Sequence, residues 1–363
     1  MLEHKHTIIH LESSLGWGGQ ELRIFNESRW FIERGHRVIL IAPKNSKIYQ
    51  QFDSQGWQCH HCSFQLLHSP WNLIFLLSRF LSLKPDAINA HSNIDSKIGL
   101  LAAKFAGVKN IIRSRHVSNP IRNSWHNRII YKHLATHIVT TGNCISQEVL
   151  KLGLPSERVT SIATGIAIPT EKSSAQSLKE ELSLKANSRL VGMVSVLRSW
   201  KGHSFLIQAF KGLLRDFPNL HLILAGDGPG REGLEKLVRE LQIEHHVHFL
   251  GHRNDVFHIF HNLDIALLTS TKNEGIPQTL IQAMACHCPV IGTNVGGIPE
   301  LLMNGELGTL ISPQDSQAIQ NAIQEILRNP KQFESRTKSA YSHVAVYYNI
   351  ERMGNLMQLI YDG

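Results

Sequence analysis

The chain has 363 residues, 42% apolar and 18% charged, the proportions of a globular protein large enough for two ordinary domains. Its apolar runs, 73–77 and 265–268 among the longest, fall short of the roughly 20 residues a spanning helix needs, and residues 1–6 lack the basic-then-apolar pattern of a signal peptide. The net charge of +8 is uneven: basic residues exceed acidic ones by nine within 1–168, while 169–363 carry a net −1, which points to an anionic partner for the first half, and the lack of a basic cluster interleaved with aromatics argues against nucleic acid.

In chain order, 7–11, 37–42, 86–90, 110–113 and 137–140 read as strands, separated by helices near 20–34, 71–83, 96–106 and 146–152. The stretch 163–176 loses periodicity and gains Gly, Pro and Ser, which marks a linker. Strands at 190–196, 220–225, 247–250, 264–268 and 289–292 follow, with helices near 205–217, 232–241, 278–286, 315–328 and 330–342, and a last amphipathic helix over 349–361. This alternation predicts two α/β domains with parallel sheets, facing across a cleft that suits a ligand. The expected boundaries are 1–168, 169–345 and a terminal segment 346–363.

Five cysteines, Cys59, Cys62, Cys144, Cys286 and Cys288, make an odd count without framework spacing, so a reducing, cytoplasmic setting is expected, with at most peripheral attachment to the inner membrane face. The Cys59-His60-His61-Cys62 run has no partner cluster and reads as a strand or turn; no metal and no cofactor are expected.

Several turns carry chemistry. Residues 16–21, Gly-Trp-Gly-Gly-Gln-Glu, follow the first strand and open a helix, so Gly18 and Gly19 can bring backbone N–H groups close to an anion. His116 follows the fourth predicted strand. Arg198 and Lys201, just past the first strand of the second half, can neutralise a diphosphate. Gly226 opens a Gly-Asp-Gly-Pro-Gly turn after another strand. In 269–285 a lone carboxylate, Glu274, precedes Gly275, Ile276, Pro277 and Gln278, with Pro277 expected in the first turn of a helix whose N-terminus attracts anions.

Taken in this order, the pieces resemble the retaining family 4 glycosyltransferases of the GT-B fold, of envelope and lipopolysaccharide type. The Arg34-Gly35-His36-Arg37-Val38, Val247–Gly251 and Val295-Gly296-Gly297-Ile298-Pro299-Glu300 segments add to the match. The resemblance spans nearly the whole chain and implies two Rossmann-like domains, with the last helix crossing back to the first. It implies a nucleotide-sugar donor held mainly by the second domain, a saccharide or lipid-linked acceptor held mainly by the first, and a metal-free site. Arg198 and Lys201 would then bind the diphosphate, and Glu274 would bind hydroxyls of the transferred sugar. Residues Gly275–Gln278 would assist at sugar or phosphate, His116 would meet the donor sugar near the reacting carbon, and Gly18, Gly19 and Gly226 would line the phosphate region.

At position 282 the family usually has a ribose-binding Glu, and this chain has Gln282. A carboxylate accepts from both ribose hydroxyls, whereas an amide offers one acceptor and one donor, so nucleotide affinity is the property this departure touches. Two alternatives share the donor: a nucleotide-sugar epimerase of similar fold, and a catalytically silent nucleotide-sugar-binding protein. An anionic membrane surface is a further expected partner of the basic first half.

Overall fold

Strands buried on both faces are written as continuous apolar runs, and the helices between them bring each strand back parallel to the last. The computed structural model describes residues 4–65, 69–122, 124–169, 176–272 and 274–363. Its contacts form two units: residues up to Gly165 together with Ile350–Gly363, and Ile166–Asn349. Of the predicted linker, residues 170–175 lie outside the described residues.

The first unit holds β1 (Thr7–Leu11), β2 (Arg37–Ala42), β3 (Cys59–His61), β4 (Ala87–Ala90), β5 (Asn110–Arg115), β6 (His137–Thr140) and β7 (Val159–Ser161). They form one parallel sheet in the order β3-β2-β1-β4-β5-β6-β7. Strand order reverses between β1 and β4, and at such a switch point the carboxyl ends of the strands leave a crevice.

The second unit repeats the plan with β8 (Arg189–Val194), β9 (Leu220–Ala225), β10 (Val247–Gly251), β11 (Ile265–Leu268), β12 (Val290–Thr293) and β13 (Thr309–Ile311). Its parallel order is β10-β9-β8-β11-β12-β13, with the switch between β8 and β11.

The expected two-domain α/β architecture is what the chain adopts. Two strands escaped the sequence reading, β7 and β13, and the 59–62 run, read as a strand or turn, forms β3; all three lie at sheet edges. Each is three residues long and largely half-exposed, so its extended form comes from one neighbouring strand rather than from an apolar run of its own. The helices Lys47–Ser54 and Val256–Asn262 were also missed. β8 ends at Val194, two residues before the predicted 196: Ser195 N–H still bonds the last residue of β9, Ala225, but Leu197 N–H already bonds Asp227 in the loop beyond it.

The last helix, Ile350–Asp362, is part of the first unit, as expected. Its Met353, Met357 and Tyr361 complete a buried cluster with Ile8, Trp30, Phe31 and Ile112. Trp30 Nε1 donates to Glu351 Oε2 at 3.0 Å, and Gly354 lies so close to the Trp30 ring that a Cβ would come within 2.2 Å of it. Among the described residues no helix is long and apolar enough to cross a membrane.

Candidate functional site

In the second unit, the loops after β8 and β11 meet at the switch point. Thr271 N–H donates to the Trp200 carbonyl at 2.7 Å, and Thr269 Oγ1 donates to the Lys201 and Gly202 carbonyls at 3.2 and 3.1 Å. These bonds fasten the turn Ser199–Lys201 to the segment leading to Glu274. As a result Lys201 Nζ stands 2.5 Å from Glu274 Oε1, which also accepts from Ser270 Oγ at 2.5 Å. Glu274 is only 6% exposed. Two donors and an opposite charge compensate the cost of burying this side chain.

The backbone of Glu274 is held from the other side. Gly296, at φ +57°, sits so tightly that a Cβ there would lie 2.0 Å from the Glu274 carbonyl oxygen, and Gly297 N–H donates to that oxygen at 3.3 Å. Only glycine fits this approach, which gives a physical reason for the Val-Gly-Gly-Ile-Pro-Glu segment. Gly275 and Ile276 continue the same strip, with Ile276 buried. Pro277 proves to be the N-cap of the helix Gln278–Ala285 rather than a residue of its first turn. Thr279 Oγ1 donates to the Val194 carbonyl at 2.7 Å, so this helix N-terminus is aligned on the end of β8. Gln282 is buried, and its carboxamide makes no hydrogen bond among the described residues.

Arg198 is exposed, with its guanidinium 5.0 Å from the Trp200 ring centre, and no carboxylate pairs with it among the described residues. Gly226 plays a different part from the one its turn suggested. Its N–H donates to the Gly251 carbonyl at 2.7 Å, and at φ +135° a Cβ would lie 2.0 Å from the Ser195 carbonyl. The Gly226–Gly230 loop therefore seats the Ser195–Arg198 loop: Leu197 N–H bonds Asp227 O at 3.0 Å, and Gly230 N–H bonds Leu197 O at 2.8 Å.

In the first unit, Gly18 caps the helix Gly19–Glu33, and its N–H donates to Glu21 Oε2 at 2.8 Å. That amide is thus spoken for by the chain's own carboxylate. Behind it lies an acidic cluster that the sequence reading missed. Glu12 is fully buried, and burial with neighbouring Asp95 and Glu21 pushes its carboxyl up to about 8. Burial raises Asp95 to about 6. Ser92 Oγ donates to Glu12 Oε1 at 2.6 Å, and Gln20 Nε2 donates to Ser92 Oγ at 2.8 Å.

His116 follows β5 and is half-buried. Burial, with Arg23, Arg113 and Arg115 nearby, holds its pKa well below the usual imidazole range, so the ring is neutral. It lines a cavity of about 390 Å³ with Gln20, Ser92, Arg113, Arg115 and Tyr131. A second cavity of about 590 Å³ carries Asn93, Lys97, Arg122, Trp125 and His126. The Cys59–His61 run forms β3, and Cys62 is buried in the sheet's core.

Residues 17–168 match the family model described as Glycosyltransferase Family 4, and residues 174–343 match Glycosyl transferases group 1. Among curated relatives, N-acetyl-alpha-D-glucosaminyl L-malate synthase of Bacillus anthracis is 30% identical over 51% of this chain and 48% of its own length. D-inositol 3-phosphate glycosyltransferase of Corynebacterium urealyticum is 28% identical over 49% of this chain and 44% of its own length. The chain thus spans about half the length of these relatives. Anabaena Alr3699/HepE, solved in complex with UDP-glucose, superposes with a TM-score of 0.86 at 21% identity, covering 98% of both chains. The two switch-point sheets give this chain the GT-B fold, its first part similar to Glycosyltransferase Family 4 and its second to Glycosyl transferases group 1.

Proposed function

We propose that the chain is a retaining, metal-independent glycosyltransferase that moves a sugar from a nucleotide-sugar donor to a saccharide or glycolipid acceptor in cell-envelope or lipopolysaccharide synthesis. One observation carries this reading: the buried Glu274 paired with Lys201 at a sheet switch point, with the exposed Arg198 three residues before Lys201 in the same loop. An ammonium has three protons, so Lys201 can keep Glu274 and still donate to a phosphate oxygen. Arg198 adds a planar fork for the same diphosphate. Both cations gain strength as negative charge builds on the departing nucleotide, which favours the transition state over the ground state.

Glu274 accepts from hydroxyls of the transferred sugar, and Gly275–Gln278 offer amides to sugar or phosphate. Gln282 takes the ribose with a buried carboxamide that has no protein partner among the described residues. Gly18, Gly19 and Gly226 act through the loops they shape. His116 serves the sugar from the first unit. Retention follows from attack of the acceptor hydroxyl on the face the diphosphate leaves, with a diphosphate oxygen taking the proton. The anionic acceptor or membrane surface is supported by the basic charge of residues 1–168 and by Lys97 and Arg122 in the larger cavity.

The test is a panel of nucleotide sugars screened for thermal stabilisation, followed by hydrolysis and transfer assays on any that bind. Stabilisation with slow hydrolysis supports the transferase. Binding without turnover on any acceptor supports the silent binder, and no binding refutes the donor reading. Equal binding to anionic and neutral vesicles removes the membrane partner.

A further inference from the structure

His116 does not stand alone. Its Nε2 lies 3.0 Å from His91 Nδ1, and His91 Nε2 lies 2.9 Å from His10 Nδ1. The three rings come from β1, the end of β4 and the end of β5, the strands around the switch point. His10 and His91 are 0% and 2% exposed. At the far end, His10 Nε2 has no hydrogen-bond partner among the described residues and faces Glu27 Oε1 at 3.9 Å. Glu27 is fully buried, accepts from Tyr361 Oη at 2.6 Å, and has Arg23 Nε 3.6 Å from its other oxygen.

Burial holds all three imidazoles below their ordinary pKa, so each carries one proton and one lone pair. In an unbroken chain of neutral imidazoles the protons cannot be placed independently: every ring must point the same way. The buried charges choose the direction. The Glu27 carboxylate favours an N–H on His10 Nε2. Arg113 and Arg115, which line the same cavity as His116, favour a lone pair at that end. Arg23 repels protons from all three rings.

We propose that Glu27, His10 and His91 lock His116 as its Nε2–H tautomer, so that His116 Nδ1 is a hydrogen-bond acceptor for a substrate hydroxyl. His91 Nε2–H then donates to His10 Nδ1, and His116 Nε2–H donates to His91 Nδ1. His10 and His91 are positioning residues: His91 also borders the cavity, but both of its ring nitrogens are taken by the neighbouring rings, so both residues act through His116. The hydroxyl as ligand rests on the glycosyl-transfer reading, whereas the tautomer does not.

Nitrogen-15 histidine NMR of the full chain tests this, with the His116 signals assigned by their loss in His116→Asn. The expected result is a single Nε2–H tautomer at His116, and both tautomers in His10→Phe, which cuts the chain at its charged end. An Nδ1–H form in the native protein overturns the proposal, as does an unchanged single tautomer in a folded His10→Phe. If His10→Phe does not fold, the native spectrum alone decides between the two directions. A locked Nε2–H tautomer in a protein that binds no nucleotide sugar would sink the transferase reading and leave the lock standing.

Discussion

Gly296→Ala tests whether backbone packing is what holds Glu274 in place. A Cβ at Gly296 would meet the Glu274 carbonyl oxygen at 2.0 Å, and φ is +57°. The left-handed backbone costs about 1–2 kcal/mol for an L residue, and the overpacked contact adds about 1–3 kcal/mol. Gly251→Ala isolates the first contribution: it lies in the same unit at φ +67°, and its Cβ would meet only the Arg231 guanidinium at 3.6 Å. At about 2–4 °C per kcal/mol for a unit of this size, Gly296→Ala should unfold about 2–12 °C below Gly251→Ala. Relieving the clash moves the Glu274 backbone by about 1 Å, and a misplacement of that size lowers turnover about 100-fold. Scanning calorimetry and steady-state transfer give both readings. Equal unfolding temperatures and equal turnover in the two variants would refute the reasoning.

Glu274→Ala should fold and lose most transfer, because the sugar loses its carboxylate ligand; near-normal turnover in the purified variant would end that assignment. Arg198→Ala should leave the unfolding temperature unchanged, since the side chain is exposed, yet weaken nucleoside diphosphate binding by about 10–100-fold, the worth of a charge-assisted bond; calorimetric titration with UDP measures it. Burial, with Lys201 adding to it, lowers His203 to about 4 from 6.5. A depressed imidazole leaves stability full above pH 6.5 and removes it as pH falls from 6.5 towards 4, by about 2 kcal/mol at pH 5. Unfolding temperatures of the second unit at pH 7.5 and 5 should therefore differ less in His203→Gln than in the native chain. Gly354→Ala drives a methyl into the Trp30 ring and should cost about 1–3 kcal/mol, read by thermal unfolding followed through tryptophan fluorescence.

Legibility in the sequence followed burial. β1, β2, β6 and β9 span the predicted residues because each is an apolar run enclosed on both faces. The edge strands β7 and β13 were unreadable, and β3 could be read only as a strand or turn, for the converse reason, their form being imposed by one partner. In the candidate site, Glu274, Lys201, Arg198 and His116 were legible from their places just after strands. The roles of Gly226 and Gly296 were not, since each is defined by a carbonyl from a distant loop.

The sequence by itself determined the alternation of elements, the parallel sheets and the charged residues at strand ends, because those depend on local periodicity and turn chemistry. Tertiary structure decided which strand ends meet. Only the reversal of strand order between β8 and β11 brings Lys201 to Glu274, and only the reversal between β1 and β4 lines up His10, His91 and His116. Residues so far apart along the chain acquire a shared function when parallel register places them side by side, and no local pattern encodes that register.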